Sequence, residues 1–560
     1  MFFSSCTHRS CSYYDVSLPP AASYDNQSAP RSSEAYLHFL KGQHCLSQQD
    51  FSCALSELSE AITHDPSSSS ISIELCRIKA MTGNLDEARI WCNKALLLNP
   101  VHIEARKLLA RLSNALNRSD EAEQQYRIIL SLFPDDEESY LSLAALYADR
   151  KKYREAIMVI GHFMDCNGQT ENALIVLGNI YADMGKYTSA ERCFKKALQI
   201  APPSLPARER LVLLYEAHNR LQEAIDMCSA ILSIDPDNYT VREKLASLYI
   251  KRNDFAAARQ HYTILRDTKP YARYDATMKV GMICIEQNDV SCAVVEFSNA
   301  LNEHPNDDRA IFYLGSALEK AERYDEALHY FSKVPATSRY FVHSQIHRAL
   351  ILERNGKNSE AQNILIEART IIKDDPDLCR VLASLYEKGG KIIDALNVLK
   401  EAVALKPDDN DLLFYLGVLY EKASLFEDSI AVMKKILDRN PEHADALNFI
   451  GYSWADRGMH LDEAERLIKK ALKLKPDDGY IVDSLGWVYF KQKKLHKARS
   501  HLEHAASLVP DDPTIIEHLA DVYAASGISE KAIQYYRRAI ELDPSKKEPL
   551  TQKINALSAQ

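Results

Sequence analysis

The sequence predicts an all-α protein, an α-solenoid of about fifteen helix-turn-helix repeats, and three observations support this fold class. Prolines recur 34 residues apart, or at twice that spacing, at Pro66, Pro100, Pro134, Pro202, Pro236 and Pro270. Alanines recur with the same period, and small residues lie twelve positions before most of them. A fixed period of this length is typical of stacked helix pairs, each of which buries its apolar face against its neighbours.

The alanine positions set the register of the repeats. One column holds alanine in fourteen of fifteen units, and its spacing departs from 34 residues only at two single-residue insertions. Its members are Ala54, Ala88, Ala122, Ala156, Ala190, Ala224, Ala258, Ala293, Ala327, Ala361, Ala395, Ser429, Ala464, Ala498 and Ala532. Fifteen such units fill residues 35–546.

A second column, called here the small column, precedes the alanine column by twelve residues, or by thirteen in the thirteenth unit. It comprises Gly42, Cys76, Ala110, Ala144, Gly178, Val212, Ala246, Gly281, Gly315, Ala349, Ala383, Gly417, Gly451, Gly486 and Ala520. Fourteen of the fifteen are Gly, Ala or Cys, so two helices can approach closely there. Three residues later, an often aromatic column supplies rings, such as Tyr181 and Tyr215, that fill the space between helices.

Each unit has the pattern of two amphipathic helices joined by a short polar turn. In the fifth unit, Leu174, Leu177, Gly178 and Tyr181 fall at i, i+3, i+4 and i+7, which is one face of a helix. Gly185 follows as a typical C-terminal helix signal. We therefore predict one helix over ALIVLGNIYADMG and a second over KYTSAERCFKKALQI.

Two irregular places suggest where the repeat geometry changes. The fourth unit ends at Gly168 instead of a proline, and Pro335 comes early after the ninth unit, so we expect a short second helix there and a boundary near residue 340. The predicted organisation is a flexible Ser/Pro/Ala-rich tail over 1–34, units 1–9 over 35–341, units 10–15 over 342–546, and a capping helix over 547–560.

Composition and charge exclude several classes of protein. The 560 residues are 46% hydrophobic and 26% charged, as in a globular chain, and no run of 18 apolar residues occurs. Lys+Arg number 68 and Asp+Glu 78, a net charge of −10 that disfavours nucleic-acid binding. We expect neither a nucleic-acid partner nor a small-molecule substrate.

The cysteine and histidine positions predict no metal or cofactor. The 12 cysteines contain no CxxC pair, and most fall at packed positions, so we expect buried thiols rather than a disulfide framework. His343 and His347 are four residues apart, but only Glu353 is near them in sequence, which is a poor zinc set. The sequence also lacks GxxxxGK[ST], GxSxG and HExxH, so we expect no enzyme.

The small, aromatic, alanine and proline columns resemble the tetratricopeptide repeat, and the resemblance covers more than nine-tenths of the chain. It implies a right-handed superhelix whose repeats form a scaffold for protein partners. In that family, positions 2, 5, 9 and 12 of the first helix face a groove. Chaperone co-factors of the family clamp a carboxylate with Lys, Arg and Asn there, and this chain offers mostly acidic residues instead.

Carried over to the last four units, those positions give a candidate partner-binding groove. Its residues are Phe414, Asp445, Asn448, Tyr452, Asp483, Trp487, Phe490, Glu517 and Asp521. Aromatic rings beside carboxylates fit a protein or peptide segment that carries Lys or Arg next to apolar side chains. The alternative for Trp487 and Phe490 is packing against the next unit or the cap.

The last third of the chain has a closer resemblance. The stretch ALNFIGYSWADRGMHLDEAERLIKKALKLKPDDGYIVDSLGWVYF resembles a bacterial family of tetratricopeptide lipoproteins. Some members lie on the periplasmic face of the outer membrane and bring a carboxyl-terminal processing protease to its substrates, including cell-wall hydrolases. The resemblance makes Cys6, in Phe3-Ser4-Ser5-Cys6, a candidate lipidation site if the true start lies upstream. The alternative is a cytoplasmic scaffold for assembly of a secretion or polysaccharide-export machine; the oligomeric state stays open.

Overall fold

The computed structural model describes residues 30–558, and within them it is entirely α-helical, with 31 α-helices and no strand. The chain divides into two compact units, the first ending at Gln287 and the second beginning at Asn288. Among the described residues, no helix has both the length and the apolar character that a bilayer crossing requires. The all-α fold class is thus confirmed, and each unit is described by itself.

The first unit contains helices α1 to α15 and one 3₁₀ turn, Pro270–Ala272. The helices are α1 (Ser33–Ser47), α2 (Phe51–His64), α3 (Ser69–Met81), α4 (Leu85–Leu98), α5 (Ile103–Ala115), α6 (Ser119–Leu132), α7 (Glu137–Asp149), α8 (Tyr153–Asn167), α9 (Glu171–Asp183), α10 (Tyr187–Ile200), α11 (Leu205–Ala217), α12 (Leu221–Ile234), α13 (Tyr239–Lys251), α14 (Phe255–Thr268) and α15 (Arg273–Glu286).

The second unit contains helices α16 to α31 and a 3₁₀ turn, Pro544–Lys546. The helices are α16 (Val290–Glu303), α17 (Asp308–Lys320), α18 (Tyr324–Ser332), α19 (Phe341–Arg354), α20 (Asn358–Ile371), α21 (Pro376–Lys388), α22 (Ile392–Leu405), α23 (Asn410–Lys422), α24 (Phe426–Arg439), α25 (Ala444–Asp456), α26 (Leu461–Leu474), α27 (Gly479–Lys491), α28 (Leu495–Leu508), α29 (Pro513–Ala525), α30 (Ser529–Leu542) and α31 (Lys547–Ser558).

Local sequence signals fix where these helices begin and end. The first helix of most repeats is capped by an Asp, Ser, Thr or Asn side chain; for example, Asp136 accepts a hydrogen bond from the backbone N–H of Ser139 at the start of α7. The turn to the second helix uses one residue with positive φ. At Gly185, φ is +72°, a conformation that glycine adopts without steric cost. The helices predicted for the fifth repeat are therefore confirmed as α9 and α10.

Small residues let the two helices of a repeat touch. At Gly178 a Cβ atom would lie 2.4 Å from Cε1 of Phe194, whose ring is buried between α9 and α10. Gly417 faces Met433 in the same way, and a Cβ there would lie 2.5 Å from its Cε. The serine in the alanine column, Ser429, donates a buried hydrogen bond to the carbonyl oxygen of Gly417, so the exception in that column also joins the two helices.

The expectation of buried thiols is wrong for seven of the described cysteines. Cys166, Cys284 and Cys292 are disulfide-bonded, as are the members of two pairs. Cys45 is disulfide-bonded to Cys53, which joins α1 to α2, and Cys76 is bonded to Cys92, which joins α3 to α4. The reason is the same close approach of the helices, because it brings the Cα atoms of each pair to 5.8 and 5.3 Å, within disulfide range. Three other cysteines match the expectation as buried free thiols: Cys193, Cys228 and Cys379.

A recurring polar contact joins successive repeats. Tyrosines of the aromatic column donate to a glutamate 24 residues earlier in the chain, on the second helix of the preceding repeat. The three pairs are Tyr147–Glu123 at 2.9 Å, Tyr215–Glu191 at 3.0 Å and Tyr489–Glu465 at 3.3 Å. Hydrogen bonds from Arg220 lower the pKa of Glu191 to about 2. The aromatic column therefore contributes a specific hydrogen bond as well as volume.

The irregular places fall where the sequence puts them. Helix α18 has nine residues, against 14 in most second helices, so the predicted short helix of the ninth repeat is confirmed. Helix α8 extends to Asn167 and ends at Gly168, with φ of +85°. The capping helix appears as α31, with Leu550 fully buried. The boundary near residue 340 lies inside the second unit and stays a prediction, and most of the 1–34 tail lies outside the described residues.

We predict that Gly178→Ala destabilises the fifth repeat by roughly 1–3 kcal/mol, because the new methyl group overlaps a buried aromatic ring. Amide hydrogen exchange in α9 and α10 measures the effect. The matched control is Gly161→Ala in α8, where a Cβ meets nothing within 4 Å; that change should raise stability by about 0.5–1 kcal/mol. Equal effects of the two substitutions would contradict the close-approach explanation.

Candidate functional site

The first helices of the last four repeats enclose a cavity of about 520 Å³ in the second unit. This volume suits a side chain or a short peptide segment. The lining residues come from α23, α25, α27 and α29 and the turns before them. They are Phe414, Asp445, Asn448, Phe449, Tyr452, Asp478, Tyr480, Ile481, Asp483, Ser484, Asp512, Thr514 and Ile515.

Four aromatic rings line this cavity: Phe414, Phe449, Tyr452 and Tyr480. Phe414 and Phe449 pack edge to face with their centroids 6.0 Å apart, so α23 and α25 present a joint aromatic wall. Tyr480 is 56% exposed and lies at the rim of the cavity. Burial, together with the carboxylates of Asp456 and Asp483, raises the pKa of Tyr452, so its hydroxyl stays neutral.

Four aspartates give the cavity its charge, and its lining contains no lysine or arginine. Two of them are helix caps. Oδ1 of Asp478 accepts from the backbone N–H groups of Tyr480 and Ile481, and Oδ1 of Asp512 does the same at the start of α29. The local sequence that starts each helix therefore also places carboxylates at the cavity.

Asp445 has a lysine partner, Lys475, at 2.7 Å, yet the two side chains are 45% and 46% exposed. An exposed pair of this kind contributes about 0–1 kcal/mol. The pairing thus leaves Asp445 available to another cation at little energetic cost.

Other carboxylates on first helices of the second unit are paired with a cation of the next repeat. Glu353 pairs with Lys388 at 2.6 Å, and Glu421 pairs with Arg457 at 2.7 Å. The cation in each case lies at the end of the first helix of the following repeat. In the cavity, by contrast, no described residue forms an ion pair with Asp478 or Asp512.

Asn448 lies on α25 among the lining residues, and its Oδ1 is a buried acceptor without a hydrogen-bond donor. Buried polar atoms are hydrogen-bonded in most proteins, so this oxygen is an acceptor that a donor near the cavity could satisfy after a small movement of the side chain.

Trp487 and Phe490 are packed together and do not line the cavity. Trp487 is 7% exposed and stacks on His518 with the centroids 3.9 Å apart, and its Nε1 donates to Asp456 at 3.1 Å. His518 is itself held by Asp483 through Nδ1 at 3.0 Å. This geometry matches the packing alternative, with Asp483, His518 and Trp487 forming a polar floor beneath the cavity.

Glu517 and Asp521 are occupied by the C-terminal cap. Lys553 of α31 reaches Glu517 at 3.2 Å and Asp521 at 2.8 Å, and Lys546 adds a contact to Glu517 at 3.0 Å. Burial alone would raise the pKa of Glu517, but the two lysines hold it below its ordinary value. The open part of the groove therefore ends at the start of α29, and these two acids are separated from the other predicted residues.

The structure thus brings five of the nine predicted groove residues to one cavity: Phe414, Asp445, Asn448, Tyr452 and Asp483. Sequence reasoning missed Phe449, Asp478 and Asp512. The aspartates carry a signal, since PDD before each helix is a cap that also faces the groove. Cys6, the candidate lipidation site, lies outside the described residues.

A carboxylate clamp is not assembled in the third repeat. Lys107 is buried, and its Nζ contacts Asp136 and Glu138, each at 2.8 Å. Because two acidic side chains of its own chain already bind its ammonium group, Lys107 is not available to bind a partner's carboxylate.

Three sequence families match the chain. Residues 33–247 match the tetratricopeptide repeat protein 21 C-terminal ARM domain. Residues 217–279 match one tetratricopeptide repeat family, and residues 380–438, 420–479 and 484–547 match another.

Individual relatives are similar over limited stretches. BBSome complex member BBS4 of Bos taurus is 23% identical over 256 residues, which are 45% of this chain and 48% of that protein. TPR repeat-containing protein PA4667 of Pseudomonas aeruginosa is 49% identical over 51 residues, 9% of each chain. The crystal structure of the APC/C hetero-tetramer Cut9-Hcn1 matches 94% of this chain and 96% of that one, at 14% identity and a TM-score of 0.36. The chain spans about half of the length of the first of these curated relatives and about a tenth of the second.

We predict that Trp487→Ala lowers stability by roughly 3–5 kcal/mol, because it removes a buried ring from the floor. Hydrogen exchange in α27 and α29 measures the loss. The control is Tyr480→Ala, which removes an exposed ring of the same helix and should change stability by less than about 0.5 kcal/mol. A stable Trp487→Ala protein that loses its partner would instead make the indole a groove contact.

Proposed function

Because the chain is a tetratricopeptide repeat protein, we propose that it is a non-catalytic scaffold that holds a protein partner against the first helices of its last repeats. The observation that carries the proposal is the cavity of about 520 Å³ lined by four aromatic rings and four aspartates. A repeat array buries its apolar faces in its own core, so one exposed ring, Tyr480, beside three partly buried rings and carboxylates at one cavity fits a protein partner.

The chemistry of the cavity describes the partner segment. Carboxylates without lysine or arginine among them attract cationic side chains, and the rings accept apolar or planar ones. We therefore propose a segment that carries basic residues beside apolar ones. The scaffold is inert alone and acts by changing the location or activity of what it binds.

A finer proposal concerns location: the chain is an envelope adaptor for a processing protease or a cell-wall hydrolase. It rests on the lipoprotein resemblance of the last third and on the disulfides Cys45–Cys53 and Cys76–Cys92. Such bonds persist in oxidising compartments, the bacterial periplasm among them, and are rare in the cytosol. The alternative remains a cytoplasmic scaffold for a secretion or polysaccharide-export machine.

Photo-crosslinking tests the scaffold proposal. A benzoylphenylalanine at position 480, at the rim of the cavity, should crosslink to a partner protein in an extract of the native cells. The control carries the same group at Ile393, which is 64% exposed on α22 and away from the groove. Crosslinks of equal yield from both positions, or none from position 480, would contradict the proposed site.

Cell fractionation tests the location. The envelope adaptor should be recovered with membranes, with a lipid on Cys6 and with Cys45–Cys53 linked in a non-reducing peptide map. Recovery from the cytosol, with an unmodified Cys6 and freely alkylated thiols, would favour the cytoplasmic alternative.

A further inference from the structure

We propose that the cavity between α23, α25, α27 and α29 is an anchor for one arginine side chain of the partner. The inference rests on the proposed function, since it names the group that the scaffold recognises first. Three features of the cavity support it: the charge of its lining, its acceptors without a donor, and its aromatic rings.

The charge of the lining selects a cation. The cavity holds Asp445, Asp478, Asp483 and Asp512, and no lysine or arginine lies among its lining residues. Asp478 and Asp512 each use Oδ1 to cap a helix, and among the described residues no hydrogen bond or ion pair reaches their Oδ2 atoms. Asp445 is paired with Lys475 and Asp483 with His518, so the two capping aspartates carry the unpaired charge, which repels an anion.

The acceptors select a cation that donates hydrogen bonds. The Oδ2 atoms of the two capping aspartates accept no hydrogen bond among the described residues. Oδ1 of Asn448 also has no donor, but it is fully buried and meets a ligand only if its side chain moves. A guanidinium or ammonium group supplies N–H donors, whereas a quaternary ammonium supplies none. A fully methylated ammonium would leave these oxygens desolvated and unpaired, which disfavours it.

The rings select arginine over lysine. Phe414, Phe449 and Tyr452 line the cavity beside the carboxylates. A planar guanidinium stacks on an aromatic face while its five N–H groups point outward in the plane, so it can meet rings and several acceptors together. An ammonium group is more strongly hydrated and gains less from the rings.

Lys475 is a resident competitor for this site. Its Nζ contacts Asp445 at 2.7 Å, and both side chains are about half exposed. An incoming arginine must displace Lys475 from the carboxylate, and a weak exposed pair permits that. Removing Lys475 and removing Asp445 should therefore change arginine affinity in opposite directions.

The test is a calorimetric or NMR titration of the full chain with N-acetyl-arginine amide, with N-acetyl-lysine amide and N-acetyl-citrulline amide as comparators. We expect a dissociation constant on the order of 1 mM for arginine, as for a single anchoring side chain. Lysine should bind several-fold more weakly. Citrulline, which has nearly the same shape without the charge, should bind at least about tenfold more weakly.

Three variants complete the test. Asp445→Asn should weaken arginine binding several-fold, and Lys475→Ala should strengthen it. The matched control Asp477→Asn removes the same charge from the neighbouring turn, outside the cavity lining, and should leave the affinity within about twofold, since exposed charge is screened. Equal binding of arginine and citrulline, or equal effects of Asp445→Asn and Asp477→Asn, would overturn the anchor.

The experiments distinguish a failure of the arginine anchor from a failure of the scaffold proposal. If a partner crosslinks at position 480 but binds equally after every arginine in its bound segment is changed to citrulline, the anchor is wrong and the scaffold stands. If arginine amide binds with the predicted variant pattern but no partner crosslinks at position 480, the scaffold proposal fails and the cation site stands.

Discussion

The structure depends on one contact that recurs inside the repeats, between the small column of the first helix and the residue that faces it on the second. Where the small column is glycine, the facing residue is large, as for Gly178 with Phe194 and Gly417 with Met433. Where the column holds Val212, the residue at the facing position is the small Cys228, and both are buried in the same cluster. Where both positions are cysteine, as for Cys76 and Cys92, they are joined covalently. Close packing at native density requires such complementary volumes, and each choice keeps the helices at contact distance.

The functional surface follows from the same arrangement. Packing occupies one face of the first helix, so its opposite face is left for other uses. Elsewhere in the second unit, carboxylates of the first helices form ion pairs with the following repeat, such as Glu421 with Arg457. At the C-terminal end, α31 covers Glu517 and Asp521. Between these regions, the carboxylates and rings around Asn448 stay open to a ligand.

The sequence predicted the periodic features well because each follows from one local rule. Helix ends follow from capping side chains and turn glycines, and the short α18 follows from the early Pro335. The predictions that were wrong concern contacts between residues that the repeat period alone does not bring together. The partners of Cys45 and Cys76 depend on the distance between two helices, and the burial of Trp487 depends on His518 of the next repeat. The loss of Glu517 from the groove depends largely on Lys553 of α31, which lies outside the repeat pattern.

The central claim is that the open groove of the last repeats is the surface that binds a partner. Hydrogen–deuterium exchange of the full chain, with and without the crosslinked partner's segment, tests it most directly. The account predicts slower exchange in α25 and α27 and at the start of α29 when the segment binds, with α24, α26 and α28 unchanged. Protection confined to those second helices, or to the first unit, would contradict it.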